Sequence, residues 1–251
     1  MKGIKLVALL ALLALTLSLL TGCAPKKVDA PPEGPARAQN IKPPTPEAEP
    51  ADFGSLAQAM GGKIKGLKSW RATMTGPAEG GEFKMAIMGK KVRVEDATRP
   101  NTYQVLDLTS GTMLMVDTDK KTAMEMKLDI GEDEKVPDPA EEIEKIQQDD
   151  PNAKFSSTQL DGRPAWLVEY KDKAGNSSKS WFDKEWGLPL KIESTTDGKT
   201  ETLVYTYSDI NSVPASDFEA PAGYKIVKMD MTDPTQMTPE QLQEMQQFMG
   251  E

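Results

Sequence analysis

From Lys68 to Lys127 the chain repeats one pattern, an apolar side chain at every second position in short runs. Trp70, Ala72 and Met74 alternate with Arg71 and Thr73. Phe83, Met85 and Ile87 alternate with Lys84 and Ala86, and Val92 and Val94 with Arg93 and Glu95. Tyr103 and Val105, Met113 and Met115, and Met124 and Met126 around Glu125 continue the series. A period of two places successive side chains on opposite faces of a strand, so a helix could not bury this apolar set on one side. Gly89, Ser110-Gly111 and Asp119-Lys120 interrupt the runs with turn residues. The pattern therefore predicts consecutive antiparallel strands.

The period changes twice. Asp52 to Met60, with Phe53, Leu56 and Met60 on one side, predicts a short first helix that Gly61-Gly62 ends. Pro137 to Gln148, with Ile143 and Ile146 three apart and acids early, predicts a second. Strands then resume at Phe155 to Leu160, Ala165 to Tyr170, Ser180 to Asp183, Leu188 to Ser194, Glu201 to Tyr207 and Tyr224 to Met229. Asp161-Gly162 and Asp197-Gly198 read as hairpin turns, because a type I′ turn needs positive φ at both central residues. A meander interrupted by helices is an α+β chain. After residue 229 comes a polar tail, residues 230–251, in which Thr238-Pro239-Glu240-Gln241 starts a short amphipathic helix carrying Leu242, Met245, Phe248 and Met249. That helix reads as a surface element, with docking over a groove as the alternative.

The N-terminus is of another kind. Lys2 and Lys5 precede an apolar run from Val7 to Leu20, and Thr21-Gly22 precede the single cysteine, Cys23. This is the layout of a secretory signal over residues 1–22, and Leu20-Thr21-Gly22-Cys23 resembles the lipobox of bacterial lipoproteins. The resemblance implies that Cys23 is acylated (palmitate or a similar chain) and becomes the mature N-terminus. The apolar run is shorter than the ~20 residues that span a bilayer comfortably, which speaks against an uncleaved membrane helix. Residues 23–50 are rich in proline, at Pro25, Pro31, Pro32, Pro35, Pro43, Pro44, Pro46 and Pro50. Such a segment is a semi-rigid tether, reaching roughly 80 Å at ~3.1 Å per residue. Residues 51–229 then form one folded domain.

Charge and composition exclude several functions. The formal net charge is −9, and loss of Lys2 and Lys5 with the leader makes the chain more acidic. Nucleic acid is not an expected partner, since its affinity rests on basic contacts to phosphate. Attachment to anionic membranes has to come from the lipid on Cys23. There is no histidine, and the one cysteine is committed to acylation, so imidazole and thiol chemistry are absent. No catalytic motif is found, and no enzyme activity and no cofactor are expected. Asp129-Ile130-Gly131-Glu132-Asp133-Glu134 offers carboxylates, but without the ligand spacing of an EF-hand it reads as a solvated loop, and no metal is expected.

Methionine is the informative residue. The chain holds 14, and Met74, Met85, Met113, Met115, Met124 and Met126 all take the apolar register of their strands, whereas Met88 does not. Strand cores ordinarily use stiff Val and Ile. Methionine is unbranched and polarizable and suits surfaces that adapt to apolar partners. Two readings stay open at this point, a hydrophobic groove or an ordinary core beneath a covering helix.

Two segments weigh on that choice. Trp181-Phe182-Asp183-Lys184-Glu185-Trp186-Gly187-Leu188-Pro189-Leu190-Lys191-Ile192 and Asp217-Phe218-Glu219-Ala220-Pro221-Ala222-Gly223-Tyr224 resemble the hairpin and closing motifs of the lipoprotein-carrier (LolA/LolB-like) superfamily. The resemblance implies a curved antiparallel sheet forming a half-open β-barrel, covered by helices and holding acyl chains. It implies a groove lined by Trp70, Met74, Phe83, Met85, Tyr103, Met113, Met115, Met124 and Met126. The function so implied is non-enzymatic lipid or lipoprotein binding, of the outer-membrane lipoprotein-sorting kind, in a lipid-anchored envelope protein. The anchor lies on the outer side of the cytoplasmic membrane or in the outer membrane. An envelope protein-interaction or stress-sensing module using the same fold, with an envelope protein as partner, is the alternative.

Overall fold

The computed structural model describes residues 49–76, 82–97, 99–130, 136, 138–172, 174–232, 238, 239 and 243. Cys23, the lipobox and most of the tether lie outside these residues, as do most of the acidic loop after Ile130 and of the C-terminal helix.

Twelve strands form one sheet. In chain order they are β1 Ser69–Thr75, β2 Glu82–Met88, β3 Lys91–Asp96, β4 Thr102–Asp107, β5 Thr112–Asp117 and β6 Thr122–Lys127, then β7 Lys154–Leu160, β8 Arg163–Lys171, β9 Ser177–Asp183, β10 Pro189–Thr196, β11 Lys199–Ser208 and β12 Lys225–Asp230. Their spatial order is β12-β6-β5-β4-β3-β2-β1-β11-β10-β9-β8-β7. Two meanders, β1 to β6 and β7 to β11, are thus joined side by side through β1 and β11. All pairings are antiparallel except β12 on β6, which is parallel because the chain returns to that edge after crossing the sheet. The sheet is curved and unclosed, with β7 and β12 as its edge strands among the described residues, the half-open α+β arrangement expected from the sequence.

Helix α1, Phe53–Lys65, is fixed by a capping box: Asp52 accepts from the Ser55 N–H at 2.7 Å, and the Ser55 hydroxyl accepts from the Asp52 N–H at 3.0 Å. It runs through Gly61-Gly62 instead of ending there. A Cβ on Gly61 would come within 3.3 Å of the Ala140 Cβ, so the glycine serves the crossing of α1 with α2, Pro139–Asp149. Asp138 caps α2 through the Ala140 N–H at 2.9 Å. Phe53, Leu56, Ala57 and Met60 of α1 and Ala140 and Ile143 of α2 bury themselves on Trp166, Val168 and Phe182 of β8 and β9.

The hairpin expected at residues 181–192 fastens α1 to the sheet. Asp183 is buried and accepts from the Glu185 N–H at 2.7 Å and the Trp186 N–H at 3.0 Å, which forms the turn, while Arg163 pairs with its other oxygen. Gly187 then sits at φ +73° against the helix, where a Cβ would be 2.8 Å from the Met60 carbonyl oxygen. Asp161-Gly162 and Asp197-Gly198 adopt positive φ at both residues, as expected for type I′ hairpins.

Gly187→Ala should therefore lower stability by about 2–4 kcal/mol, combining left-handed strain with displacement of α1. Gly198→Ala, at φ +76° with open space around it, should cost only about 1 kcal/mol. Urea denaturation of both variants measures the difference.

Candidate functional site: a methionine-lined sheet face

Register decides which side chains meet. Antiparallel partners share a face, and Met74 lies opposite Phe83, Ala72 opposite Met85, and Trp70 opposite Ile87. The chain of partners continues through Met85 to Val94 and Ile87 to Val92. From there it passes to Gln104 and Leu106, to Met115 and Met113, and to Met124 and Met126. At the edge Val227 and Met229 of β12 join Met124 and Met126. In the other direction Met74 lies opposite Tyr205 and Ala72 opposite Tyr207, and Leu203 opposite Ile192. One face thus carries Trp70, Met74, Phe83, Met85, Met113, Met115, Met124 and Met126 together.

Tyr103 is a correction to the expected lining. Its partners are Glu95 and Val116, so it points from the opposite face. There it is buried beneath residues 209–224, with Arg93 3.6 Å above its ring and its hydroxyl donating to the Glu219 carbonyl at 3.1 Å. Burial pushes its phenol up, against the opposing pull of Arg93. The segment that covers this second face brings Val213 and Phe218 onto Ala86, Val105, Val116 and Ala123, with Met88 and Tyr224 packed at the side. Arg71 ties it down through Asp209 at 2.8 Å and through Asp217.

The methionine face itself is covered unevenly. Met124 and Met126 are buried at 2% and 6% exposure in a cluster with Met229, against which Met113, Met115, Val227 and Met231 pack. Trp70, Met74, Phe83 and Met85 are only half-buried. Neither helix takes part in that methionine cluster; both lie on the β7–β9 half. An aromatic seam separates the halves. The Tyr207 ring meets Trp70 edge-on at 5.7 Å and Trp186 at 6.2 Å, and stacks on Tyr205 at 6.4 Å. Two clefts lie elsewhere, one of about 440 Å³ between α2 and Tyr170 and one of about 210 Å³ around Arg71, Lys84 and Glu95.

Polar groups on the methionine face are few. The Tyr207 hydroxyl donates to the Pro189 carbonyl at 2.6 Å. Burial pushes the Tyr205 phenol up to about 12 and that of Tyr207 well above its ordinary value. By register the ionisable residues Asp96, Asp117, Lys199, Glu201 and Lys225 fall on this face only towards strand ends along one rim. Leu106, Ile87, Val92, Val94, Leu203, Tyr205, Tyr207 and Met229 belong to this face and were not among the expected lining. Their alternation with Met and Trp partners was the available signal. Among the described residues no cluster of three or more His, Cys, Asp or Glu is placed to hold a metal ion.

No protein-family model matches this sequence, and no curated protein matches it. Solved structures do align with it. An uncharacterized conserved protein of Thermus thermophilus aligns at 13% identity and TM-score 0.43, over 68% of this chain and 98% of the other. MucB in the Pseudomonas aeruginosa MucA/MucB complex aligns at 14% and 0.40, over 70% and 64%. A LolA superfamily protein of Nitrosomonas europaea aligns at 11% and 0.26, over 65% and 97%. All three TM-scores are low, and none carries weight for the function of this chain.

Ionisation of Tyr205 should be visible in an alkaline absorbance titration as a late transition near 12, which Tyr205→Phe removes. Because the folded-state value is raised above the ordinary 10.0, the unfolded chain loses its proton first. Stability should fall as pH rises from about 10 through about 12, and denaturation midpoints across that window check it.

Proposed function

We propose that the methionine face binds lipid or lipoprotein acyl chains, without covalent chemistry, in a protein held at the cell envelope by a lipid on Cys23. One observation carries this reading. Met, Trp, Phe, Val, Ile and Leu side chains, broken centrally by Gln104, face one way across seven neighbouring strands beyond the half that the helices cover, with the charged residues of that face at one rim. Each 100 Å² of acyl surface removed from water there contributes about 2.5 kcal/mol, and the flexible thioethers can follow chains of different shape. Exchange needs no acid, base or nucleophile, in keeping with a chain that lacks histidine.

The Cys23→Ser chain, which carries no acyl group of its own, should yield a near-stoichiometric lipid in native mass spectrometry or organic extraction. Met115→Lys places a charge on the face and should reduce that lipid more than about tenfold while the fold persists by circular dichroism. A folded protein that is consistently empty contradicts the proposal.

A second reading, an envelope interaction or sensory module, is favoured by the edge strands. The β12 edge carries Ile226 at 47% exposure, and an unpaired strand is a template for another chain. A stoichiometric protein partner retained after delipidation would favour this reading over the first.

A further inference from the structure

Among the described residues, the central part of the methionine face presents two polar side chains whose hydrogen-bonding groups meet no protein partner, the Gln104 amide and the Tyr205 hydroxyl. They differ in setting. Gln104 stands between Val94 and Met115, and all three are half-buried. Tyr205 is held by its neighbours. Its ring stacks parallel to Tyr207 with 6° between the planes, and Tyr207 is in turn pinned by its bond to Pro189 and by Trp70 and Trp186. Tyr205 also lies opposite Met74, at the border between the open methionine half and the rest of the sheet. An aromatic ring clamped in this way presents its hydroxyl with little rotamer freedom left to lose.

We propose that the Tyr205 hydroxyl is the hydrogen-bond donor by which the methionine face recognises its ligand, and that the ligand is an uncharged ester-linked lipid, not a free fatty acid. This inference rests on the acyl-chain reading above and adds to it the polar end of the ligand. The chemical reason is charge. An ester carbonyl accepts one hydrogen bond and is then adequately satisfied. An ionised carboxylate taken from water needs a cation or several donors, and among the described strand residues the lysines on this face, Lys199 and Lys225, sit at strand ends on the rim. A tyrosine hydroxyl is a neutral donor at physiological pH, and burial of Tyr205 only widens that margin.

The test uses the full Cys23→Ser chain, delipidated, with a fluorescent hydrocarbon that has no polar atom as the bound probe. A monoacylglycerol and the free fatty acid of the same chain length compete for it at neutral pH, below their micellar concentrations. The monoacylglycerol should displace the probe at a concentration more than about tenfold lower than the acid. Tyr205→Phe keeps the ring stack and should weaken the monoacylglycerol by about three- to tenfold, the range of one neutral hydrogen bond. The hydrocarbon should bind it as before. Tyr224→Phe, which removes a hydroxyl on the opposite face that donates to the Thr118 carbonyl, should leave the ester-to-acid ratio unchanged. Equal competition by ester and acid, or wild-type ester affinity in Tyr205→Phe, overturns the inference while leaving the acyl-chain reading intact. Failure of the wild-type chain to bind the hydrocarbon removes both.

Discussion

The antiparallel register between β1 and β11 is the constraint on which the rest of the structure depends. It joins two meanders that are otherwise independent, and it alone decides that Trp70 and Met74 share a side with Tyr207 and Tyr205. A slip of one residue would exchange these for Arg71 and Thr73 and turn the whole apolar set of one meander away from the other. The register is locked where the chain leaves β11. The Asn211 N–H donates to the Ser69 carbonyl at 2.7 Å, the Asn211 side chain accepts from the Lys68 N–H at 2.6 Å, and the Val213 N–H donates to the Ser69 hydroxyl at 3.1 Å. The positive φ of Asp209 and Asn211 turns the backbone back over β1 to make those bonds.

Size explains why part of one face is left to the methionines. Twelve strands at ~4.8 Å spacing extend roughly 50 Å across, whereas α1, with 13 residues, is about 20 Å long at 1.5 Å per residue. The two helices also pack on each other through Gly61 and Ala140, which narrows the area they cover to β7–β9. Residues 209–224 are spent on the opposite face. Apolar area over β1 to β6 therefore exceeds what the described chain can cover.

Local pattern was enough to read the strands, and through them the shared face of Trp70, Met74, Phe83 and the methionines, because a period of two fixes sidedness within each strand. It could not read sidedness between strands where the deciding contact is remote. Tyr103 alternates as regularly as Met113, yet what buries it is Phe218 and Glu219, more than a hundred positions later in the chain. The same limit applies to Gly61-Gly62. Glycine is a helix stop by propensity, and here the crossing with Ala140 overrides it. Asp183, by contrast, was visible as part of a motif, but its task is structural: it forms the turn that lets Gly187 reach the backbone of α1.

The two halves of this face are built from different residues, and the difference follows the partner each has. Beneath the helices are Trp166, Val168, Phe182 and Phe155, shapes that suit one permanent neighbour; Phe53 meets Phe155 edge-on at 5.1 Å. Stiff side chains favour such a fit, since little rotamer freedom is lost on packing. Away from the helices the same alternating register is filled by Met74, Met85, Met113 and Met115. If a permanent cover were the evolved solution there, Val and Ile would serve β strands better at every one of these positions. Unbranched thioethers fill irregular gaps, as Met60 and Met124 do in the core, and at half-buried positions they also adapt to a neighbouring surface that changes. On the proposal that Cys23 carries a lipid, the tether would keep this face within roughly 80 Å of the membrane, which would suit receiving or holding acyl chains locally over carrying them between membranes.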